Sequence, residues 1–292
     1  MRFTVLEAWL TLTPHRDTLV QPYTGKVVRQ ALYRLADAAR LDYLASLLDE
    51  KGQYKPYSTT PLFLDGRPLL KTRPGPPLVL RAGTSYRFRL SIISRDTHPS
   101  QILLALPARI ELYDTAPATL ALRSARLLPE DTLATPLKRG DTIAIDFVTP
   151  TQLQLPKINK KARRGRYVMT PHPYYLFYSL REMWNRYAEE KITSAPWRAN
   201  YALLSTYVDI HSTAIQYDKK RTIVGFTGHT AYRVETRSTR LLHALSKLLA
   251  LASLMGVGKS RGIGLGYVKV AVKKPQATQR RRGHRPQTPQ PD

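Results

Sequence analysis

Apolar periodicity along the chain changes in the order strand–helix–strand–strand–helix–strand, and the same order returns in the second half. That repetition predicts an α+β fold of two tandem ferredoxin-like (RRM-like) domains. Length and composition agree. At 292 residues the chain accommodates two ordinary domains with sizeable cores, and its 42% hydrophobic content is that of a globular protein. The boundaries that follow are an N-terminal domain over 1–138, a C-terminal domain over 139–272 and a basic tail over 273–292.

The first domain opens at Arg2–Leu12, where Phe3, Val5, Leu10 and Leu12 alternate as in a strand. A proline-containing loop leads to a helical stretch from Gly25 to about Leu48, with Thr24 as N-cap and a break near Ala39. Val27, Val28, Ala31, Leu32 and Leu35 form its apolar face. Lys26, Arg29 and Tyr33 fall at i, i+3 and i+7 and share another face, a row that suits either a solvated surface or a polyanion. Tyr54–Phe63 is extended and polar–aromatic, running into a hairpin over Asp65-Gly66. Thr84–Ile93 alternates as a strand with Arg87 and Arg89 on one face, Pro99–Leu106 suits a short helix, and Arg109–Tyr113 a strand.

The second domain begins with the strand Asp141–Thr151. Residues 157–166 hold six cations and no acid (Lys157, Lys160, Lys161, Arg163, Arg164 and Arg166), a solvated loop or an RNA-facing one. Pro173–Ala188 is a helix whose aromatics, Tyr174, Tyr175, Phe177, Tyr178 and Trp184, read as core. Strands Ser205–Ile215 and Thr222–Val234, a helix Thr239–Met255 and a last β-branched strand complete the unit. The tail, with Arg280, Arg281 and Arg282 among four prolines, reads as a disordered basic arm.

Lys and Arg number 46 against 21 acids, a formal charge of +25 that fits a polyanionic partner. The cations are spread along the chain rather than gathered on one amphipathic helix, which disfavours a membrane surface. Seventeen tyrosines among them suit single-stranded RNA, whose bases stack on aromatic faces. The absence of cysteine excludes disulfides and thiolate metal sites. With no signal peptide and no apolar run of the roughly 20 residues a span needs, a soluble cytoplasmic protein is expected. His98, His211, His229 and His243 have no mutual spacing for a metal or a triad and read as structural, so no metal and no cofactor is expected. The adjacent Asp49-Glu50 reads as a solvated helix end.

Gly256-Val-Gly-Lys-Ser-Arg-Gly-Ile-Gly-Leu-Gly-Tyr-Val-Lys-Val270 is the densest local signal, with Gly256, Gly258, Gly262, Gly264 and Gly266 interleaved by Lys259, Ser260 and Arg261. A P-loop would need glycine where Ser253 stands, and a dinucleotide fingerprint needs strand before helix, the reverse of the order here. Glycines so dense turn backbone N–H groups toward a ligand or let another chain approach closely; two cations among them favour a phosphate backbone.

Helix, then this glycine stretch near the chain end, then strand, resembles the C-terminal signature of the CRISPR-associated repeat-processing endoribonucleases (Cas six) of the RAMP superfamily. Lys55-Pro56-Tyr57-Ser58 with Pro61-Leu62, the strand Phe147-Val-Thr-Pro-Thr151 and Gly225-Phe-Thr-Gly228 match further family segments. The resemblance covers about residues 1–272. It implies metal-independent cleavage of CRISPR repeat precursor RNA: a ribose 2′-OH attacks the adjacent phosphorus and leaves a 2′,3′-cyclic phosphate and a 5′-OH. Many members place a histidine after the first helical pair, where this chain reads Leu47-Leu48-Asp49-Glu50-Lys51. In this it resembles an archaeal subset that lacks the histidine and has lysines on the first helix with a Tyr-Lys-Pro element. The catalytic positions implied are Lys26, Arg29 and Lys55, with Tyr33 orienting the ribose or stacking on a base. Gly256, Gly258, Lys259, Ser260, Arg261, Gly262, Gly264 and Arg221, with Lys160, Arg163 and Arg164 of the basic loop, are the implied RNA-binding positions. The implied partners are repeat RNA and crRNA, with effector-complex subunits and a homodimer also allowed. The alternative function is a non-catalytic crRNA-binding subunit of the same superfamily.

Overall fold

The computed structural model describes residues 2–52, 54–72, 76–95, 99–156, 166–217 and 221–275. Residues 276–292 of the proposed tail and most of the 157–166 basic loop, including Lys160, Arg163 and Arg164, lie outside the described residues, as does His98; Lys273, placed at the start of the tail, ends the last strand instead.

In chain order the first half contains β1 (Thr4–Pro14), β2 (Thr18–Val20), α1 (Gly25–Ala38), α2 (Asp42–Asp49), β3 (Tyr57–Thr59), β4 (Phe63–Leu64), β5 (Arg67–Pro68), β6 (Leu78–Leu80), β7 (Tyr86–Ser94), α3 (Pro99–Leu104), β8 (Ala108–Leu112) and β9 (Ala116–Pro129). The main sheet runs β5-β4-β7-β1-β9-β8, with β3 also on β7. The second half contains β10 (Thr142–Thr151), β11 (Leu153–Gln154), β12 (Tyr167–Val168), α4 (Pro173–Tyr187), α5 (Ala195–Ala202), β13 (Leu203–Gln216), β14 (Thr222–Val234), α6 (Thr239–Met255) and β15 (Val268–Lys273). Its sheet runs β13-β14-β10-β15. In both sheets the first strand lies centrally between the third and the last, the strand order of a ferredoxin-like unit. Two tandem ferredoxin-like units are therefore the fold.

Two local expectations change. The strand that closes the first sheet against β1 is β9; the segment Arg109–Tyr113 supplies only β8, the outer strand beyond it. The long β9 is hard to see in sequence because only Ala116, Ala118 and Leu120 point inward, and from Leu122 to Leu127 every residue is exposed. Thr24 stands at the start of α1 but its hydroxyl does not cap the helix. It donates to Leu69 O at 2.6 Å and accepts from Leu62 N at 3.0 Å, tying the helix to the β4–β5 hairpin.

The two faces of β1 divide its function. Leu6, Ala8, Leu10 and Leu12 pack on Val27, Val28, Ala31, Leu32 and Leu35 of α1, the apolar stripe expected for that helix. The opposite face looks at the second domain and changes character along its length. Phe3 and Val5, with Ile93 of β7, join the second core, where the ring of Phe3 meets buried Trp184 edge-on at 5.4 Å. One step further Glu7 is buried against Arg89 of β7 at 3.2 Å, and then Trp9 and Arg87 open onto a groove. The face of β7 that carries Arg87 and Arg89 is thus half interdomain: Arg89 is 3% exposed and donates to Ser253 O in the last turn of α6 at 2.5 Å.

Candidate active site

The glycine stretch is where the two domains touch most closely. Helix α6 ends at Gly256, whose φ of 69° turns the chain out of the helix. The loop then presses on the first domain. A Cβ at Gly262 would stand 2.9 Å from the Tyr57 ring, and one at Gly264 (φ +89°) 2.7 Å from the backbone N of Pro61. At the start of α1 a Cβ on Gly25 would overlap Ile263 O, and that same oxygen accepts a 2.7 Å hydrogen bond from Tyr23 OH. Gly256, Gly262 and Gly264 are buried; Gly258, Lys259 and Ser260 are half-buried. The packing therefore uses Gly262 and Gly264, with Gly25 opposite them, for close approach between the domains, while Gly256 and Gly258 press on Gly266 O and Gln152 O within the second domain.

Arg261 is pulled inward with them. It is 5% exposed, its guanidinium packed on Met183 Sδ and 3.4 Å from Met255 O. Burial, only partly offset by Tyr187 and Tyr54, pulls its pKa down to about 10. It does not present its charge at the surface, unlike the expected backbone clamp. Lys259 keeps some access, donating to Tyr167 OH at 2.5 Å.

Helix α1, held at its start by this loop, brings the other expected residues together. Lys26 Nζ lies 3.9 Å from the centre of the Tyr217 ring, which Arg221 approaches at 5.4 Å. Both ring and arginine come from the end of the β13–β14 hairpin, so the second domain completes this side. One turn on, Arg29 donates to Tyr33 OH at 2.9 Å and to Leu48 O at 3.3 Å, and Tyr33 OH donates to Asp49 at 2.6 Å. Tyr57 OH donates to the same Leu48 carbonyl at 3.3 Å, and Lys55 Nζ is 5.4 Å from the Tyr57 ring. Lys55 has its pKa lowered, first by burial and then by the Arg29 charge, with Glu50 and Asp49 opposing. Burial and the bond to Asp49 raise that of Tyr33. No acid stands in the first turn of α1, so the positive end of the helix adds its field beside Lys26 uncompensated.

Lys26, Arg29, Tyr33, Lys55 and Arg221 thus share one region. Asp49, Tyr57 and Tyr217 belong to it too: Tyr217 was not singled out in the sequence, and Asp49 and Tyr57 were named there without a role in the site. Asp49 and Glu50 are not merely solvated: Asp49 anchors Tyr33, and Glu50 binds Arg186 of α4 at 3.0 Å. The partners of His15 (Thr119), His172 (Tyr175), His211 (Asp209) and His229 (Asp146) are not residues of this cluster. Among the described residues no three His, Asp or Glu are grouped so as to hold a metal ion, and no helix is long and apolar enough to cross a membrane. A separate open groove of about 400 Å³ lies between the sheets, lined by Trp9, Phe63, Arg87, Arg123, Tyr267 and Lys269.

Such an arrangement of cations beside a phenol and a helix start can position a phosphodiester and supply a proton to it. Comparison with known proteins narrows the reading. No curated protein sequence matches the chain. The family description Cas6 N-terminal domain matches residues 6–122, and CRISPR-associated endoribonuclease Cas6 matches residues 145–268. Among solved structures, Thermus thermophilus Cas6 superposes with a TM-score of 0.61 at 19% identity, over 92% of this chain and 98% of that one. The product complex of the same Thermus protein gives 0.65 at 22% identity, over 93% and 100%. A Cas6-related protein from Pyrococcus furiosus gives 0.55 at 12% identity, over 92% and 98%. Identities this low establish the shared fold alone, whereas the two family matches together span most of the chain. The chain belongs to the CRISPR-associated endoribonuclease Cas6 family.

Proposed function

We propose that this chain cuts CRISPR repeat precursor RNA without a metal ion, by attack of a ribose 2′-OH on the adjacent phosphorus, and without a catalytic histidine. The observation that carries the reading is the gathering of Lys26, Arg29 and Lys55 at the start of α1, around the hydrogen-bonded Arg29–Tyr33–Asp49 chain. Structures of the fold solved as product and substrate-mimic complexes support RNA as the ligand.

In this mechanism the scissile phosphate sits over the N-terminal turns of α1. Arg29, its orientation set by Tyr33 and Leu48 O, is the stabiliser of a non-bridging oxygen. Lys55 is the general acid: as the 2′-oxygen bonds to phosphorus and loses its proton to solvent water, Lys55 gives its own proton to the departing 5′-oxygen, for which its lowered pKa equips it better than an ordinary lysine. Lys26, held over Tyr217, balances the charge that develops on the phosphorane. Tyr33 keeps the role of orienting the ribose, through a hydroxyl fixed by Asp49. Lys259 and Arg221 bind the RNA backbone; Arg261 acts indirectly, by holding the glycine loop in place. Lys160, Arg163 and Arg164 stay proposed as RNA contacts from sequence.

The test is incubation with end-labelled cognate repeat RNA in excess EDTA, followed by analysis of the product ends. Cleavage at one position leaving a cyclic phosphate and a 5′-OH is expected. Tight binding without a cut across cognate repeats would instead make the chain a crRNA-binding subunit.

A further inference from the structure

Helices α4 and α5 carry an aromatic row that neither the core nor the cation cluster absorbs. Of the α4 aromatics expected in the core, Phe177 and Trp184 are fully buried. Tyr174, Tyr175 and Tyr178 are only half-buried, and the row continues onto α5 with Trp197 and Tyr201, 61% and 74% exposed. Tyr178 and Tyr174 stack with centroids 5.9 Å apart and planes 22° apart. Trp197 meets Tyr174 edge-on at 6.4 Å and 82°, and Tyr201 lies 5.7 Å beyond it at 64°, so neither of these two exposed rings is stacked face to face on its neighbour in the row.

The inner end of the row reaches the candidate active site. Tyr178 lies beside Tyr54, the residue preceding Lys55, and the Tyr54 carbonyl accepts a 2.8 Å hydrogen bond from Tyr187 at the end of α4. Arg181 sits 4.9 Å over the Tyr178 ring while also pairing with Glu182, and exposed Arg198 follows Trp197 on α5. Open ring faces with guanidinium groups alongside are the chemistry that holds unpaired bases and their phosphates. A protein partner would find aromatic faces too, but the charge of +25 and the continuity with Lys55 favour RNA.

We propose that Tyr178, Tyr174, Trp197 and Tyr201 form a stacking platform for an unpaired segment of the substrate, leading outward from the scissile phosphate at Lys55. The platform rests on the RNA-cleavage reading above and adds to it a second site, selective for single strands and tolerant of sequence.

The experiment compares three RNAs: the cognate repeat trimmed close to the cut site, and the same RNA with an unpaired adenosine extension of about six nucleotides on its 5′ side or on its 3′ side. The wild-type protein is expected to bind one extended RNA about tenfold or more tighter than the trimmed one. Trp197→Ala/Tyr201→Ala should abolish that gain while leaving trimmed-RNA affinity and single-turnover cleavage unchanged, and Trp197→Phe/Tyr201→Phe should retain it. If trimmed RNA is bound and cut but no extension tightens binding, or the double alanine variant keeps the gain, the platform falls and the cleavage reading stands. Loss of trimmed-RNA affinity in the alanine variant would make the row structural and also overturn it. If the wild-type protein neither binds nor cuts any of these RNAs, both readings fall together.

Discussion

In the proposed mechanism Lys55 is the residue on which the chemistry turns. Burial and the neighbouring Arg29 charge both disfavour its protonated form, so its proton is released more readily than that of an exposed lysine. Lys55→Ala should slow single-turnover cleavage about 100-fold or more while changing RNA affinity little. Equal losses in rate and affinity would remove it from the catalytic step. The acid must be protonated to act, so activity should fall as pH rises through its pKa. Because that pKa is lowered, the alkaline fall should begin below the 10.5 of an ordinary lysine. Lys55→Arg, which keeps charge without a usable proton, should bind RNA but cut slowly at neutral pH, with that alkaline limb gone. The candidacy of Lys55 came from the family resemblance in its Tyr-Lys-Pro context, as did that of Lys26 and Arg29, whose spacing alone suits a solvated face as well. Tyr217 was not legible: it sits at the end of a hairpin, and nothing in the sequence says that β13–β14 carries it 3.9 Å from Lys26. Arg261 was visible as a cation in a glycine loop, yet its burial depends on Met183 and Met255 from other elements.

At the scale of elements, the glycine loop was found easily and its physical task was not. Spacing shows that glycines are required but not whether a phosphate or a protein backbone lies opposite them. Here Tyr57, Pro61 and Gln152 lie opposite. Gly264→Ala adds a Cβ 2.7 Å from Pro61 N at a φ of +89°, so both strain and overlap oppose it. It should destabilise the protein by about 1–3 kcal/mol in denaturant unfolding and slow cleavage by displacing α1. Unchanged stability would mean that the loop moves aside freely. Helices α1 and α6 and strands β1, β10 and β14 were readable because their apolar periods are long. Strand β9 was not, since half of it faces solvent and alanine carries much of its inward face.

Across the whole molecule, the charge of +25 sets how RNA is bound. Counterion release should make affinity fall steeply as salt rises. Arg221→Ala, at the mouth of the cluster, should reduce the slope of log Kd against log salt by about one. An unchanged slope would remove Arg221 from the RNA path. Two ferredoxin-like units were legible because element order repeats; their mutual placement was not, since no local pattern shows that Phe3, Val5 and Ile93 belong to the other domain's core.

The seam between the units has one further consequence, for kinetics. A hinge opening between the domains would have to break the Tyr23–Ile263 and Arg89–Ser253 hydrogen bonds and part Phe3 from Trp184 at once. Such a seam favours a protein that keeps its interdomain shape on binding, so conformational adaptation should fall to the RNA. Encounter should be fast and steered by charge, while the slow step in forming the productive complex belongs to the refolding of the nucleic acid.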